Sequence, residues 1–277
     1  MRIDTPGCFN KMIKLSDLTT APDFIKSDTK FLCKMGSHAY GINGPSSDID
    51  IYGFCVPPIE YLLPNTAGHI EGFGRQQNNF EQFQVDHIEE LYDVSIYNIT
   101  KFLHLCMDNN PNMIDCLFVP DDCILYKSEI ADLILKNKKL FLHKGCYFRF
   151  MGYAESQWKK IRNKNPVGKR KIVVDTYGFD LKYASHLYRL ANECEQILRT
   201  GDLNLRQSQS QMLLIRKGKV SLTELEKWFN EKKLELKQLY ETSTLQHSPD
   251  QKKIKDILIQ CLEMKFGSLK QFTFKEE

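Results

Sequence analysis

Two short stretches in the first half of the chain alternate polar and apolar residues. In Ser47-Asp48-Ile49-Asp50-Ile51-Tyr52-Gly53-Phe54, Asp48 and Asp50 fall on one parity and Ile49 and Ile51 on the other; Leu91-Tyr92-Asp93-Val94-Ser95-Ile96-Tyr97 repeats the pattern. A period of two predicts strands, with the isoleucines and valine facing a core. A further strand is expected over Thr29 to Met35, centred on Phe31, Leu32 and Cys33, and a last short one around Ile124 to Tyr126. Beyond Val119-Pro120 the texture turns helical, with helices near Ser128 to Asn137, Cys146 to Arg162, Val174 to Arg199, Leu222 to Glu241 and Asp250 to Lys265. Gly201 reads as a C-cap, and Ser221 with Glu224 as a capping box. The expected fold is α+β, a small mixed β-sheet with packed helices over residues 1–126 followed by a mostly α-helical domain over 127–277.

The alternation has a chemical consequence. On a strand, Asp48 and Asp50 share a face roughly 6.6 Å apart, a pairing that can grip a divalent cation. The strand before them runs into Gly36-Ser37, where a residue without Cβ lets backbone approach phosphate and a hydroxyl can donate to it. Asp93 is the candidate third carboxylate, sharing parity with Ser95 and Tyr97; Asp86, Glu89 and Glu90 are its rivals if that strand begins earlier. Gly-Ser turns and solvent-facing Asp-x-Asp pairs are each common. Their joint occurrence, with ten residues between Ser37 and Asp48, is what carries the reading.

This spacing resembles the DNA polymerase beta nucleotidyltransferase superfamily. The resemblance implies a small mixed sheet carrying three carboxylates on neighbouring strands. From Asp93 through Asn110-Pro111-Asn112-Met113-Ile114-Asp115 to Phe118 the chain is similar to the RlaP family, nucleotidyltransferases named for their association with RNA ligases. Gly152-Tyr153-Ala154-Glu155-Ser156-Gln157 and Tyr177-Gly178-Phe179-Asp180 through Leu190 extend the likeness. It covers nearly the whole chain. Asp115 departs from the pattern, standing where a glutamate is expected, and its role as core anchor or site neighbour stays open. Lys182, His186, Arg189 and Glu193 step by four, three and four residues and form one polar stripe beside an apolar stripe of Tyr183, Leu187, Leu190, Cys194 and Ile197. A solvent face with helix ion pairs is one reading of the polar stripe. The resemblance implies another, a second wall of the cleft, with Lys182 and Arg189 for triphosphate oxygens and His186 for a phosphate or base.

Composition changes this picture little. With 42% hydrophobic and 26% charged residues over 277 positions, the chain can bury a substantial core. It has no apolar run long enough for a membrane span and no apolar leader, so a cytoplasmic protein is expected. Nine cysteines, odd in number and never in Cys-x-x-Cys, predict buried thiols, with neither a disulfide framework nor a structural zinc site expected. Net charge is only +3, yet Lys159, Lys160, Arg162, Lys164, Lys169, Arg170 and Lys171 cluster around an Asn165-Pro166-Val167-Gly168 turn. This segment is a candidate RNA-binding rim, with Tyr153 and Trp158 available for stacking; a solvated helix end is the plainer alternative. Asn65 to Asp86 reads as a long loop or hairpin near the cleft mouth.

The function these features imply is transfer of a nucleoside monophosphate from an NTP to an acceptor hydroxyl, an RNA end first and tRNA among the candidates. Mg²⁺ or Mn²⁺ would be the cofactor, with Asp48, Asp50 and Asp93 as catalytic and metal-binding residues and Gly36 and Ser37 against phosphate. A protein or small-molecule hydroxyl would use the same site, and a non-catalytic nucleotide- or RNA-binding module would keep the fold without turnover.

Overall fold

The computed structural model of the chain describes residues 15, 18–45, 47–62, 80–88, 92–163 and 166–268. Its centre is a five-stranded mixed sheet in the order β3-β4-β2-β1-β5, formed by β1 (Thr29–Lys34), β2 (Ile49–Cys55), β3 (Gln82–Ile88), β4 (Tyr92–Asn98) and β5 (Ile124–Lys127). β1 runs antiparallel to both β2 and β5, and β3 antiparallel to β4. The central pair β2 and β4 is parallel, with Ile49 opposite Tyr92, Asp50 opposite Asp93 and Ile51 opposite Val94.

Strand alternation divides the buried residues between two cores. Ile49, Ile51, Val94 and Ile96 point to a smaller cluster closed by Leu18, Ala21 and Ile25, the last on helix α1 (Asp23–Asp28). Phe31, Cys33 and Phe54 point the other way, into a core that extends without interruption through the helical half to Cys261. Asp50 and Asp93 therefore project from the sheet face that the helices cover.

Helices α4 (Ile99–Met107) and α5 (Pro111–Leu117) lie within the segment read from sequence as short β-like runs and turns. Their caps explain them. The Asn98 side chain accepts from the amide of Thr100, and the Asn110 side chain accepts from Asn112 and Met113 with Pro111 at the first helical position. Between them Asn109 takes a left-handed conformation at φ 51° and donates from its side chain to the Phe141 carbonyl at 2.8 Å.

After β5 come α6 (Glu129–Lys136), α7 (Cys146–Asn163), α8 (Lys169–Tyr177), α9 (Leu181–Thr200), α10 (Gln209–Arg216), α11 (Leu222–Thr242) and α12 (Gln251–Phe266), so this part is helical as expected. The single helix expected over Val174 to Arg199 is in fact two. Gly178, at φ 82°, ends α8 in the left-handed conformation, and the Asp180 side chain restarts the helix by accepting from the amides of Lys182 and Tyr183. Gly201 C-caps α9, and Ser221 with Glu224 forms the expected capping box on α11. α10 was not anticipated. Of the expected loop Asn65 to Asp86, residues 65–79 lie outside the described residues, and its end belongs to β3. No described helix is long and apolar enough to cross a membrane.

Gly53 sets how closely β1 and β2 approach, because a Cβ there would overlap the Phe31 carbonyl oxygen. Gly53→Ala should cost about 1–3 kcal/mol, the range of buried overpacking, read as a lower urea midpoint.

Candidate active site

A cleft of about 430 Å³ opens between the sheet and the helical half, lined on the sheet side by Gly36, Ser37, Asp48, Asp50 and Asp93 and on the helical side by Lys182, His186 and Arg189. All eight sequence-derived site residues thus border one cavity, which Tyr40, Ser47, Tyr52, Asn112, Ser185 and Arg216 also line. Of the rivals to Asp93, Asp86 sits exposed on β3 and does not line it, while Glu89 and Glu90 lie outside the described residues.

Asp50 is the best-defined acid. The amide of Met35 donates to its carbonyl at 2.7 Å, which fixes β2 against the end of β1. Gly36 follows at φ +59°, and a Cβ on it would overlap Asp50 Oδ2. The glycine is required twice, by its backbone conformation and by the carboxylate lying on it. Asp93 is the register partner of Asp50 on β4. Asp48 is exposed and immediately precedes β2, so only Asp50 of the Asp-x-Asp pair lies within the strand. Burial raises the Asp50 pKa; Lys182 opposes that rise, while the like charges of Asp93 and Asp48 add to it. Among the described residues no three His, Cys, Asp or Glu side chains close into a ready ligand shell. The donor set is nevertheless of one kind, carboxylate oxygens that disfavour one another's charge, which is the chemistry a hard divalent cation would relieve.

The Gly36-Ser37 turn opens the short helix α2 (Gly36–Ala39). Several elements hold it. The amide of Ile42 donates to the Ser37 carbonyl at 2.9 Å, Arg206 Nε to Ala39 O at 3.3 Å and Gln209 Nε2 to Gly41 O at 2.6 Å. Tyr40, only 4% exposed, ends the turn and donates its hydroxyl proton to Asp115 Oδ2 at 2.7 Å.

Asp115 on α5 is fully buried, and Arg189 on α9 bridges it to Glu193, with the second bond at 2.9 Å. The same guanidinium stacks 4.5 Å from the Tyr40 ring centre. Arg189 borders the cleft but is committed to this network. Burial alone would lower its pKa, yet Glu193, Tyr40 and Asp115 together raise it well above the usual value. Burial likewise raises the carboxyl groups of Asp115 and Glu193 against the opposing pull of Arg189. Asp115 is therefore a core anchor beside the site. The polar stripe of α9 runs inward, from exposed Lys182 through His186 to buried Arg189 and Glu193.

His186 is held neutral. Burial, reinforced by Arg189, Lys182, Arg216 and Arg170, lowers its pKa to about 3. The basic segment is less open than its sequence suggests. Arg162 pairs with Glu226 at 3.4 Å and Arg170 with Asp180 at 3.6 Å, Trp158 packs on Phe229 with ring centres 5.9 Å apart, and Lys164 lies outside the described residues. Tyr153 stays exposed and accepts from Asn110 Nδ2 at 3.2 Å.

The RlaP family model, described as the RNA repair pathway DNA polymerase beta family, matches residues 12–260. The chain belongs to this family. Membership makes the chain a nucleotidyltransferase by class, and the matched range takes in residues of both cleft walls. An uncharacterised 38.9 kDa protein of Enterobacteria phage T4, from the nrdC–mobD intergenic region, is 28% identical over 129 residues, which are 45% of this chain. The match spans 36% of the phage protein, about a third of its length.

Sequence reasoning missed Arg216 and Tyr40. Arg216 sits at the end of a helix with no motif to mark it, and the Tyr40 bond to Asp115 joins residues 75 apart in the chain.

Removing Arg189 leaves two buried carboxyl groups without their cation, so Arg189→Met should cost about 3–5 kcal/mol in a denaturation curve. A residue serving only to hold phosphate would leave the midpoint unmoved. For His186 the folded pKa lies below the unfolded value of about 6.5, so the unfolded chain takes up the proton first. Its contribution to stability is present above that value and is lost as pH falls toward about 3. The ring should stay unprotonated from pH 8 to pH 5 when followed by NMR.

Proposed function

We propose that this RlaP-family protein transfers a nucleoside monophosphate from an NTP to the hydroxyl of an RNA end, tRNA included. The observation that carries the reading is the in-register pair Asp50 and Asp93 on adjoining parallel strands, beside a glycine-serine turn that borders the same cleft. The acceptor oxygen attacks the α-phosphorus, the bond from that phosphorus to the bridging β-oxygen breaks, and pyrophosphate leaves. Asp48, Asp50 and Asp93 would hold Mg²⁺ or Mn²⁺, which when bound offsets phosphate charge and lowers the pKa of the acceptor hydroxyl. Gly36 and Ser37 offer backbone amides and a hydroxyl to the phosphates. Lys182, close enough to Asp50 to oppose its pKa rise, supplies positive charge where the leaving group accumulates negative charge. His186, neutral, can donate or accept one hydrogen bond at phosphate or base without adding charge.

RNA is favoured as acceptor by the family's description and by the exposed Lys159, Lys160 and Lys171 with Tyr153 nearby on α7. The test incubates purified protein with each labelled triphosphate, Mg²⁺ or Mn²⁺, and RNA or protein acceptors. Label on RNA that disappears in Asp50→Ala, with the fold intact by circular dichroism, is the expected result. Label on protein alone, binding without transfer, or wild-type turnover by the variant would each overturn it.

A further inference from the structure

Arg216, the last residue of α10, lines the cleft, and among the described residues its guanidinium has neither an ion-pair partner nor a hydrogen bond. The group is half-buried, and burial penalises its charged form and pushes its pKa down. Asp180 lies close enough to offset part of that penalty, but its near ion pair is with Arg170. Arg170 adds like charge. Lys182 and His186 border the same cleft, and neither makes a salt bridge or side-chain hydrogen bond among the described residues. The helical wall thus presents two cations and a neutral imidazole with unused donors. The third basic residue of that wall, Arg189, meets Asp115 and Glu193 through Nη1, and its Nε has no partner.

We propose that Arg216 and Lys182, with the neutral His186, form an anion subsite for the polyphosphate end of a nucleotide, and that Arg216 sets the preference for triphosphates over monophosphates. The assignment rests on the nucleotidyltransferase reading of the cleft and extends it. Arg216 adds a cation that the polar stripe of α9 does not contain. A planar guanidinium can bind two phosphate oxygens at once. A monophosphate seated against the Gly36-Ser37 turn would not need Arg216.

The test measures binding of inorganic tripolyphosphate, inorganic phosphate, ATP and AMP by calorimetry without added metal. The proteins are the full chain, Arg216→Ala, Arg216→Lys and Asp50→Asn, each checked by thermal melting. Arg216→Ala should weaken tripolyphosphate and ATP at least tenfold and leave AMP within twofold; Arg216→Lys should recover part of the loss, and Asp50→Asn should keep tripolyphosphate binding. Equal losses for ATP and AMP, or wild-type tripolyphosphate binding by Arg216→Ala, would overturn the assignment. Should tripolyphosphate binding depend on Arg216 while the wild-type protein transfers no nucleotide, the subsite stands and the transfer reading falls.

Discussion

Arg189 holds three parts of the molecule in register by pairing with one oxygen of each of two buried carboxyl groups. Asp115 comes from α5, Glu193 from α9 itself, and Tyr40, bonded to Asp115 and stacked against the guanidinium, comes from the end of the Gly36-Ser37 turn. Buried ion pairs return little net stability over an apolar replacement of the same shape, but breaking one is expensive. That asymmetry suits a fixed anchor between sheet and helices. The turn bearing Gly36 and Ser37 cannot drift from the α9 wall without uncovering charge, so the two sides of the cleft keep a fixed separation.

The sheet side depends on a steric fact. Asp50 can lie against the turn only because residue 36 has no side chain, and the turn can take its conformation for the same reason. The cleft thereby gathers three carboxylates on one side and cations on the other. Lys182 opposes the rise in the Asp50 pKa, while burial, reinforced by the cations, keeps His186 uncharged.

Much of this was legible in the sequence, and for physical reasons. Alternation of apolar and acidic residues set Asp50 and Asp93 each on the polar parity of its own strand, while their meeting was implied by the resemblance and not by the pattern. The helical stripe of Lys182, His186 and Arg189 was equally visible. What it could not reveal was depth. A periodic stripe states which residues share a face, not how far that face runs under its neighbours, and α9 passes from solvent to core along its length. Asp115 was ambiguous because its partner lies far away in sequence, and Arg216 carried no pattern at all. The break at Gly178 was obscured because helical periodicity resumes within one turn at Asp180. Within the basic segment, Arg162 and Arg170 meet Glu226 and Asp180, acids that a count along the chain does not place beside them.

The parallel pairing of β2 with β4 has a bearing on when the protein becomes competent. Neighbouring antiparallel strands can zip from a local turn, but Asp50 and Asp93 meet only after the intervening chain has looped out and returned, with β3 placed at the sheet edge beside β4. The acidic pair is consequently a product of long-range closure, and no local fragment of the chain carries it. A nascent or partly unfolded molecule would therefore lack the paired acids, which makes chemical competence itself a report on completed folding.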